Sequence, residues 1–329
     1  LERLSRRGQP SRVRSLCNWG LEAIARWPED EGRERYRLQL LELRADAADL
    51  LGDRTRQRAD LDDLALVIGD PDSDPGAAGR VYLLHARHAA ATGSLGMARG
   101  LLRNAIQFLR QADLSGPLSD ARRRLAEVHA QAGELDLARR AAKRALIDAP
   151  DDKSRGLAQV VLGALDVLED LPESALRRAD RAVRLFRRTP ELDTTAGLGA
   201  ANLLRARAYR SAGRPRRALA SAQRDVRDAR RAADRCLEAE SLARLGASYL
   251  DLDATEEAEL RLRDAVLLSE EIEFNRGVVI ALLHLGILSA EAERDDASEL
   301  LDRAARLARE AGHHRLEAIG LCIRARIDH

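Results

Sequence analysis

Several groups of acidic and imidazole side chains in this sequence have the residue types that bind metal ions. Asp70, Asp72 and Asp74 are spaced like the start of a calcium loop. However, the glycine that such a loop requires falls one place late, and the closing position holds a valine instead of a bidentate glutamate. His85 and His88 share one face of an expected helix, but zinc sites need three or four ligands and no third is evident. We therefore expect no metal site.

Covalent and cofactor chemistry also lack a recognisable pattern in the sequence. Gly197-x-Gly199 follows no expected strand, so it does not predict a dinucleotide site. Neither a nucleophile elbow nor a phosphate-binding loop is evident. Cys17, Cys236 and Cys322 are few and far apart, which argues against a disulfide framework and fits a reducing compartment. We expect a non-enzymatic, cytoplasmic protein without a cofactor.

Arginine supplies the remaining chemistry, because Lys143 and Lys153 are the only lysines. This bias is typical of GC-rich bacterial genomes. The net charge of +1 gives no global attraction to nucleic acid or to anionic membranes. Arginine-rich helices around 122–124 and 214–217 have the chemistry to contact phosphates, so a nucleic-acid-binding helical scaffold is the alternative function. With 3% aromatic residues, stacking on single strands is disfavoured.

The apolar composition predicts helices. Hydrophobic residues make up 45% of the chain, and they are nearly all Ala, Leu and Val. Small and branched aliphatic side chains suit closely packed helices, whereas strands favour β-branched and aromatic residues. No apolar run approaches the length needed to cross a bilayer, so we expect no membrane association.

A recurring pattern divides the chain into helix–turn–helix units. A small residue is followed at +7 by a turn residue and at +12, +16 and +19 by further apolar residues. The turns fall near 8, 52, 93, 133, 170, 213, 253 and 293. Gly or Asp at a turn supplies a left-handed or capping conformation, and all nine prolines lie in or beside expected connections. Because stacked repeats mainly contact their neighbours, we expect damage to stay partly local.

This pattern resembles the tetratricopeptide-repeat (TPR) family over nearly the whole chain. The period is close to 40 residues instead of about 34, and the usual aromatic at the fourth position appears only as Tyr82. The resemblance implies an all-α, right-handed superhelical α-solenoid, with residues 1–329 forming one array of about eight helix pairs, incomplete at both ends. It also implies a protein- or peptide-binding scaffold. The expected context is the sensing or partner-recruitment region of a larger bacterial regulatory or effector protein.

The resemblance further implies that the first helix of each pair lines a concave groove. Carried onto this sequence, the partner-binding residues are Arg80, Leu83, Arg87, Arg123, Glu127, Val160, Val167, Leu203, Arg207, Arg210, Ile280, Leu283 and Ile287. The same alignment places Ala243 and Ala247 on this face. Arginine is no more frequent at these positions than chance allows, which favours ordinary solvated side chains. The apolar members either form an exposed interaction patch or are buried by winding of the superhelix.

Overall fold

Alanine- and leucine-rich segments separated by turn residues form a succession of α-helices. The computed structural model describes residues 10–28, 31–189 and 194–327, and within these ranges every regular element is helical. In chain order the helices are α1 Pro10–Ile24, α2 Glu31–Leu51, α3 Arg54–Ile68, α4 Pro75–Ala91, α5 Leu95–Gln111, α6 Ser115–Gln131, α7 Leu135–Asp148, α8 Asp152–Leu168, α9 Pro172–Arg187, α10 Thr195–Ser211, α11 Pro215–Ala232, α12 Arg235–Leu250, α13 Thr255–Glu271, α14 Asn275–Glu291, α15 Ala297–Glu310 and α16 His314–Ile327.

The turns inside the helix pairs adopt left-handed backbone. Positive φ angles occur at Gly52, Gly93, Gly133, Asp170, Gly213, Asp253 and Glu293. Glycine carries no steric penalty in this conformation, and aspartate tolerates it better than most residues. The turn predicted near residue 8 lies outside the described residues. The expected fold class, an all-α, right-handed superhelical solenoid of TPR-like helix–turn–helix repeats, is confirmed.

Prolines and aspartates fix where helices begin. Pro75, Pro172 and Pro215 occupy first-turn positions, where the missing N–H costs nothing. Asp74 caps α4 by accepting a hydrogen bond of 2.9 Å from the backbone N–H of Ala77. In the loop before α4, the Oδ1 atom of Asp70 accepts a hydrogen bond of 3.2 Å from the backbone N–H of Asp72. The acidic run that is spaced like a calcium loop is therefore the connection that leads into α4.

Small residues let the two helices of each pair approach closely. The alanines at the +12 and +19 positions have no solvent exposure, as at Ala138, Ala145, Ala258 and Ala265. The glycines of the first helices face large side chains. A Cβ added at Gly246 would lie 2.6 Å from Leu262 Cγ. Helix spacing within a pair therefore depends on the absence of these methyl groups.

Each repeat mainly contacts its neighbours, as expected, but a few contacts also join distant repeats. The Nη2 atom of Arg54 donates to the Sγ atom of Cys236 over 2.9 Å, and the Nδ2 atom of Asn275 donates to the carbonyl of Thr92 over 2.9 Å. These partners lie more than 180 residues apart, because the winding superhelix brings its first repeats against its last ones. We call this the closure contact; its residues are Gly52, Arg54, Thr92 and Gly93 on one side and Cys236, Ile272, Asn275 and Ala311 on the other.

Two glycine variants test the pair packing. Gly246→Ala is expected to lower the free energy of unfolding by about 1–3 kcal/mol, because the new methyl group overlaps the Leu262 side chain. Gly100 lies in α5 with nothing within 4 Å of its Cβ position, so Gly100→Ala is expected to raise stability by about 0.5–1 kcal/mol. Urea unfolding of both variants measures the difference. Equal effects would contradict the packing described here.

Candidate functional site

The superhelix surrounds a half-open cavity of about 1410 Å³, which we call the chamber. Its walls are the first helices of successive pairs, α6, α8, α10, α12, α14 and α16, with Leu50 of α2 completing the lining. The closure contact borders the chamber, since Cys236 belongs both to that contact and to the lining. The chamber is the candidate functional site.

Most of the predicted groove residues lie on the chamber wall. Those that line it are Arg123, Glu127, Val160, Val167, Leu203, Arg207, Arg210 and Ile280. Those outside its lining are Arg80, Leu83, Arg87, Leu283 and Ile287. That these side chains bind a partner stays a prediction.

The groove residues outside the lining make contacts within the array. The Nε atom of Arg80 donates to the Oε1 atom of Glu42 over 2.9 Å. Arg87 forms ion pairs with Asp46 and Asp49 of the preceding pair. Leu83 is buried in the core between α4 and α5. At these positions the superhelix uses the side chains to join consecutive repeats.

The predicted apolar patch is only partly a packing surface. Leu203, Ile280 and Leu283 expose 8%, 3% and 5% of their surface. Val160 and Val167 are half-buried on the chamber wall. Of the two readings that the sequence left open, burial by superhelix winding is correct for the three buried residues.

The wall formed by α6 carries charges that neutralise each other. Asp120 accepts from Arg123 Nε at 3.0 Å and from Arg124 Nε at 3.1 Å. Arg123 also pairs with Glu127 at 2.5 Å. Burial raises the pKa of Asp120, but the neighbouring arginines outweigh it and hold that pKa well below its usual range. This side of the chamber offers little free charge to a ligand.

The wall formed by α10, α12, α14 and α16 carries an excess of positive charge. Arg207 of α10, Arg244 of α12 and Arg276 of α14 surround the carboxylate of Glu240, and Arg315 of α16 lies near Arg207. We call these five residues the arginine cluster. Arg276 donates to Glu240 at 2.7 Å, whereas Arg244 lies 3.7 Å from it. Within the described part of the chain, Arg207 and Arg315 form neither a hydrogen bond nor an ion pair.

The pKa values of the cluster reflect this imbalance. Burial lowers the pKa of Arg244 to about 9, and the charge of Arg207 adds to the effect. Burial likewise lowers the pKa of Arg207 to about 10, only partly offset by Glu240. Burial raises the pKa of Glu240, but Arg276, Arg244 and Arg207 bring it down to about 2. Arg207, Arg244 and Glu240 are therefore charged at neutral pH, in a site with too few anions.

Sequence reasoning found only one member of this cluster. It placed Ala243 and Ala247 on the inner face of α12, but both are fully buried against neighbouring helices. The residues of α12 that line the chamber are Cys236, Leu237, Glu240 and Arg244, and the last two lie three positions before the two alanines. The i, i+4 spacing of Glu240 and Arg244 is the signal that would have revealed them.

Most of the arginines that suggested nucleic-acid binding are engaged within the protein. Arg122 pairs with Asp148, and its two neighbours in sequence pair with Asp120. Arg214 forms an ion pair of 2.7 Å with Glu173. The guanidinium of the nearby Arg217 lies over the ring of Tyr209, 6.0 Å from its centroid.

The succession of helix pairs defines a TPR-like α-solenoid. Over 83% of this chain and 77% of the other, the structure is similar to that of a Rap protein complexed with Competence and Sporulation Factor, with a TM-score of 0.60 and 16% identity. The Cut9–Hcn1 hetero-tetramer of APC/C is similar over 92% of this chain, with a TM-score of 0.58 and 17% identity.

A third similar structure is BtubC from P. vanneervenii, with a TM-score of 0.51 and 17% identity over 67% of this chain and 90% of the other. This chain covers 54% of the matched Cut9–Hcn1 chain. At such low identity these likenesses show the fold alone. No protein-family model matches the sequence, and the curated proteins include no significant match.

Two further properties bear on the site. Within the described ranges, no helix is both long and apolar enough to span a membrane. In the same residues, no group of three or more His, Cys, Asp or Glu side chains is arranged to hold a metal ion. His88 hydrogen-bonds with Gln57, with 3.1 Å between Nδ1 and Oε1.

The closure contact can be tested with matched turn glycines. Gly93 and Gly133 share nearly the same left-handed φ, 90° and 85°. Backbone strain at either position is therefore expected to lower the free energy of unfolding of an alanine variant by about 1–2 kcal/mol. Only the Cβ of Gly93→Ala also approaches the far repeats, at 2.8 Å from Ala311 Cβ. We expect Gly93→Ala to lose more stability and to increase the radius of gyration measured by small-angle X-ray scattering. Identical behaviour of the two variants would show that the ends do not touch in solution.

A buried histidine predicts acid sensitivity. His313 has no solvent exposure, and neither of its ring nitrogens has a hydrogen-bond partner among the described residues. Burial and nearby Arg276 lower its pKa to about 3. Below the unfolded pKa of about 6.5, the unfolded chain binds a proton that the folded chain does not, so stability falls as the pH drops from 6.5 toward 3.

For His313 this loss amounts to about 1.4 kcal/mol per pH unit within that window. Urea unfolding at pH 7.5 and pH 5.0 measures it. His313→Phe is expected to reduce the pH dependence, whereas the control His314→Phe, at an exposed neighbour, is expected to leave it unchanged. An equal pH dependence in wild type and His313→Phe would refute the assignment.

Proposed function

We propose that this protein is a non-catalytic scaffold that binds a segment of another protein, or a peptide, inside its chamber. The observation that carries the proposal is the chamber itself. Small-molecule pockets usually measure about 300–1,000 Å³, and this chamber of 1410 Å³ exceeds that range. A polypeptide segment is a ligand of suitable size.

The chemistry of the lining supports a peptide ligand. Half-buried aliphatic side chains on α8, such as Leu157 and Val160, offer contacts to apolar side chains. The arginine cluster and the pairs around Asp120 offer fixed polar partners on either side of them. This combination of an apolar surface with a few oriented polar groups is what confers affinity and specificity on a binding site.

Solved structures of similar fold are consistent with a binding role. One is a Rap protein complexed with Competence and Sporulation Factor, and another is the Cut9–Hcn1 hetero-tetramer. Both contain a partner. Repeat solenoids in general present an extended concave surface to their ligands.

The proposal includes a cellular setting. We place the array in the bacterial cytoplasm, as a sensing or partner-recruitment region that acts on a protein partner or on an attached effector domain. Its support is the arginine-rich composition, the three cysteines, which are all free thiols, and the resemblance to long-period arrays of bacterial regulators. A protein ligand is favoured over nucleic acid because the arginines of the 122–124 run are held in ion pairs.

A steric block of the chamber tests this function. Ala200 of α10 is half-buried and lines the chamber, whereas Ala220 of α11 belongs to the same repeat and is exposed. Peptides selected from a displayed random library on the wild-type chain are titrated against both tryptophan variants. We expect Ala200→Trp to weaken binding at least about tenfold, since bulk in the chamber displaces the ligand, and Ala220→Trp to bind as wild type. Selection of no peptide, or equal binding to both variants, refutes the proposal.

A further inference from the structure

In the arginine cluster, positive charges outnumber negative ones. The cluster combines four guanidinium groups with one carboxylate, so three positive charges remain after Glu240 is counted. The neighbouring Arg210 does not change this balance, because Asp251 binds it through two hydrogen bonds of 2.5 and 2.9 Å.

Within the cluster, the ion pair between Arg276 and Glu240 joins two repeats, whereas the other arginines contribute little to holding the repeats together. Among the residues that the structure describes, Arg207 and Arg315 have no partner, and the buried Nε atom of Arg244 has no hydrogen-bond acceptor. Arginines that join repeats elsewhere behave differently. Arg139, for example, contacts both Asp166 and Glu169 within 3.1 Å. Unpaired buried charge is destabilising, so its retention on a cavity wall points to a ligand.

The charge expected of a ligand follows from the three excess positive charges of the arginine cluster. A single carboxylate would leave two positive charges unpaired in the cluster, whereas a doubly charged anion would leave one. Guanidinium groups bind the oxygens of such anions in bidentate fashion, and Arg207 and Arg315 have all their donors free of other protein groups in the described chain.

We propose that the arginine cluster is a subsite for a doubly charged anionic group on the segment that enters the chamber, either a phosphorylated side chain or two adjacent carboxylates. This inference rests on the proposed function, because it names the part of the ligand that the chamber recognises. The cluster lies on α10, α12, α14 and α16, so the anionic group lies beside the last repeats. The apolar part of the ligand then extends along α8.

Three pools of synthetic hexapeptides with amidated C termini separate the sources of charge. All have random flanking positions without acidic residues, and their central pair is Ala-phosphoserine, Asp-Asp or Ala-Ser. Each pool is passed over the immobilised wild-type chain, and the retained peptides are quantified by mass spectrometry. We expect the phosphoserine pool, the Asp-Asp pool or both to be enriched over the Ala-Ser pool.

Substitutions then link the enrichment to the cluster. Arg207→Met removes one charge but keeps the aliphatic stem. We expect it to lower the affinity for the retained peptides by about tenfold or more. Arg207→Lys restores charge without the bidentate geometry, so it is expected to recover part of the affinity. Arg205→Met is the control, since Arg205 lies on the same helix outside the chamber lining, in an ion pair with Asp180. Circular dichroism and thermal melting confirm that each variant is folded.

The outcomes separate this inference from the proposed function. Enrichment of charged pools that is lost in Arg207→Met supports both. Equal enrichment of the Ala-Ser pool, with affinities unchanged in Arg207→Met, overturns the anionic subsite while peptide binding stands. Retention of no pool by the wild-type chain overturns both. Equal losses in Arg207→Met and Arg205→Met also overturn the subsite, because the effect would then be general electrostatic attraction.

Discussion

The organisation of this molecule depends on the contact between the two ends of its superhelix. An α-solenoid of helix pairs has no intrinsic reason to close, because each pair buries its apolar faces against its neighbours. Here the turns at Gly52 and Gly93 approach Ile272 and Ala311 so closely that side chains on those turns would overlap them. The absence of a side chain on these two turns therefore permits the close approach of early and late repeats.

Closure changes the electrostatics of every charged residue on the inner face. In an open groove, water would screen these groups, but in a narrow chamber they must be neutralised by one another. On the wall around Asp120, Arg123 and Arg124 neutralise the carboxylate. The wall around Glu240 does not, and the lowered pKa values of Arg207 and Arg244 record the energetic cost. The two walls differ because only one of them is electrostatically complete without a ligand.

The sequence predicted the repeats well because their signals are local. A left-handed turn needs glycine or a tolerant residue, and close helix pairs need small side chains at fixed spacing, so Gly133 and Ala138 could be placed directly. The closure contact joins residues about 180 positions apart, and no local pattern encodes it. The prediction of the inward-facing residues was accordingly correct for α10, including Arg207. On α12, where a small shift in helix orientation decides what faces inward, it missed Arg244.

Closure and ligand binding are thermodynamically linked. The chamber wall combines early elements, α2 and α6, with late elements, α12 to α16, and these are the parts that closure brings together. A ligand that touches both sets of helices binds the closed form better than any open form, and it can shift the equilibrium only by that difference in affinity. The arginine cluster acts in the same direction. Its members come from four successive pairs, so their mutual repulsion opposes compaction until an anion reduces it.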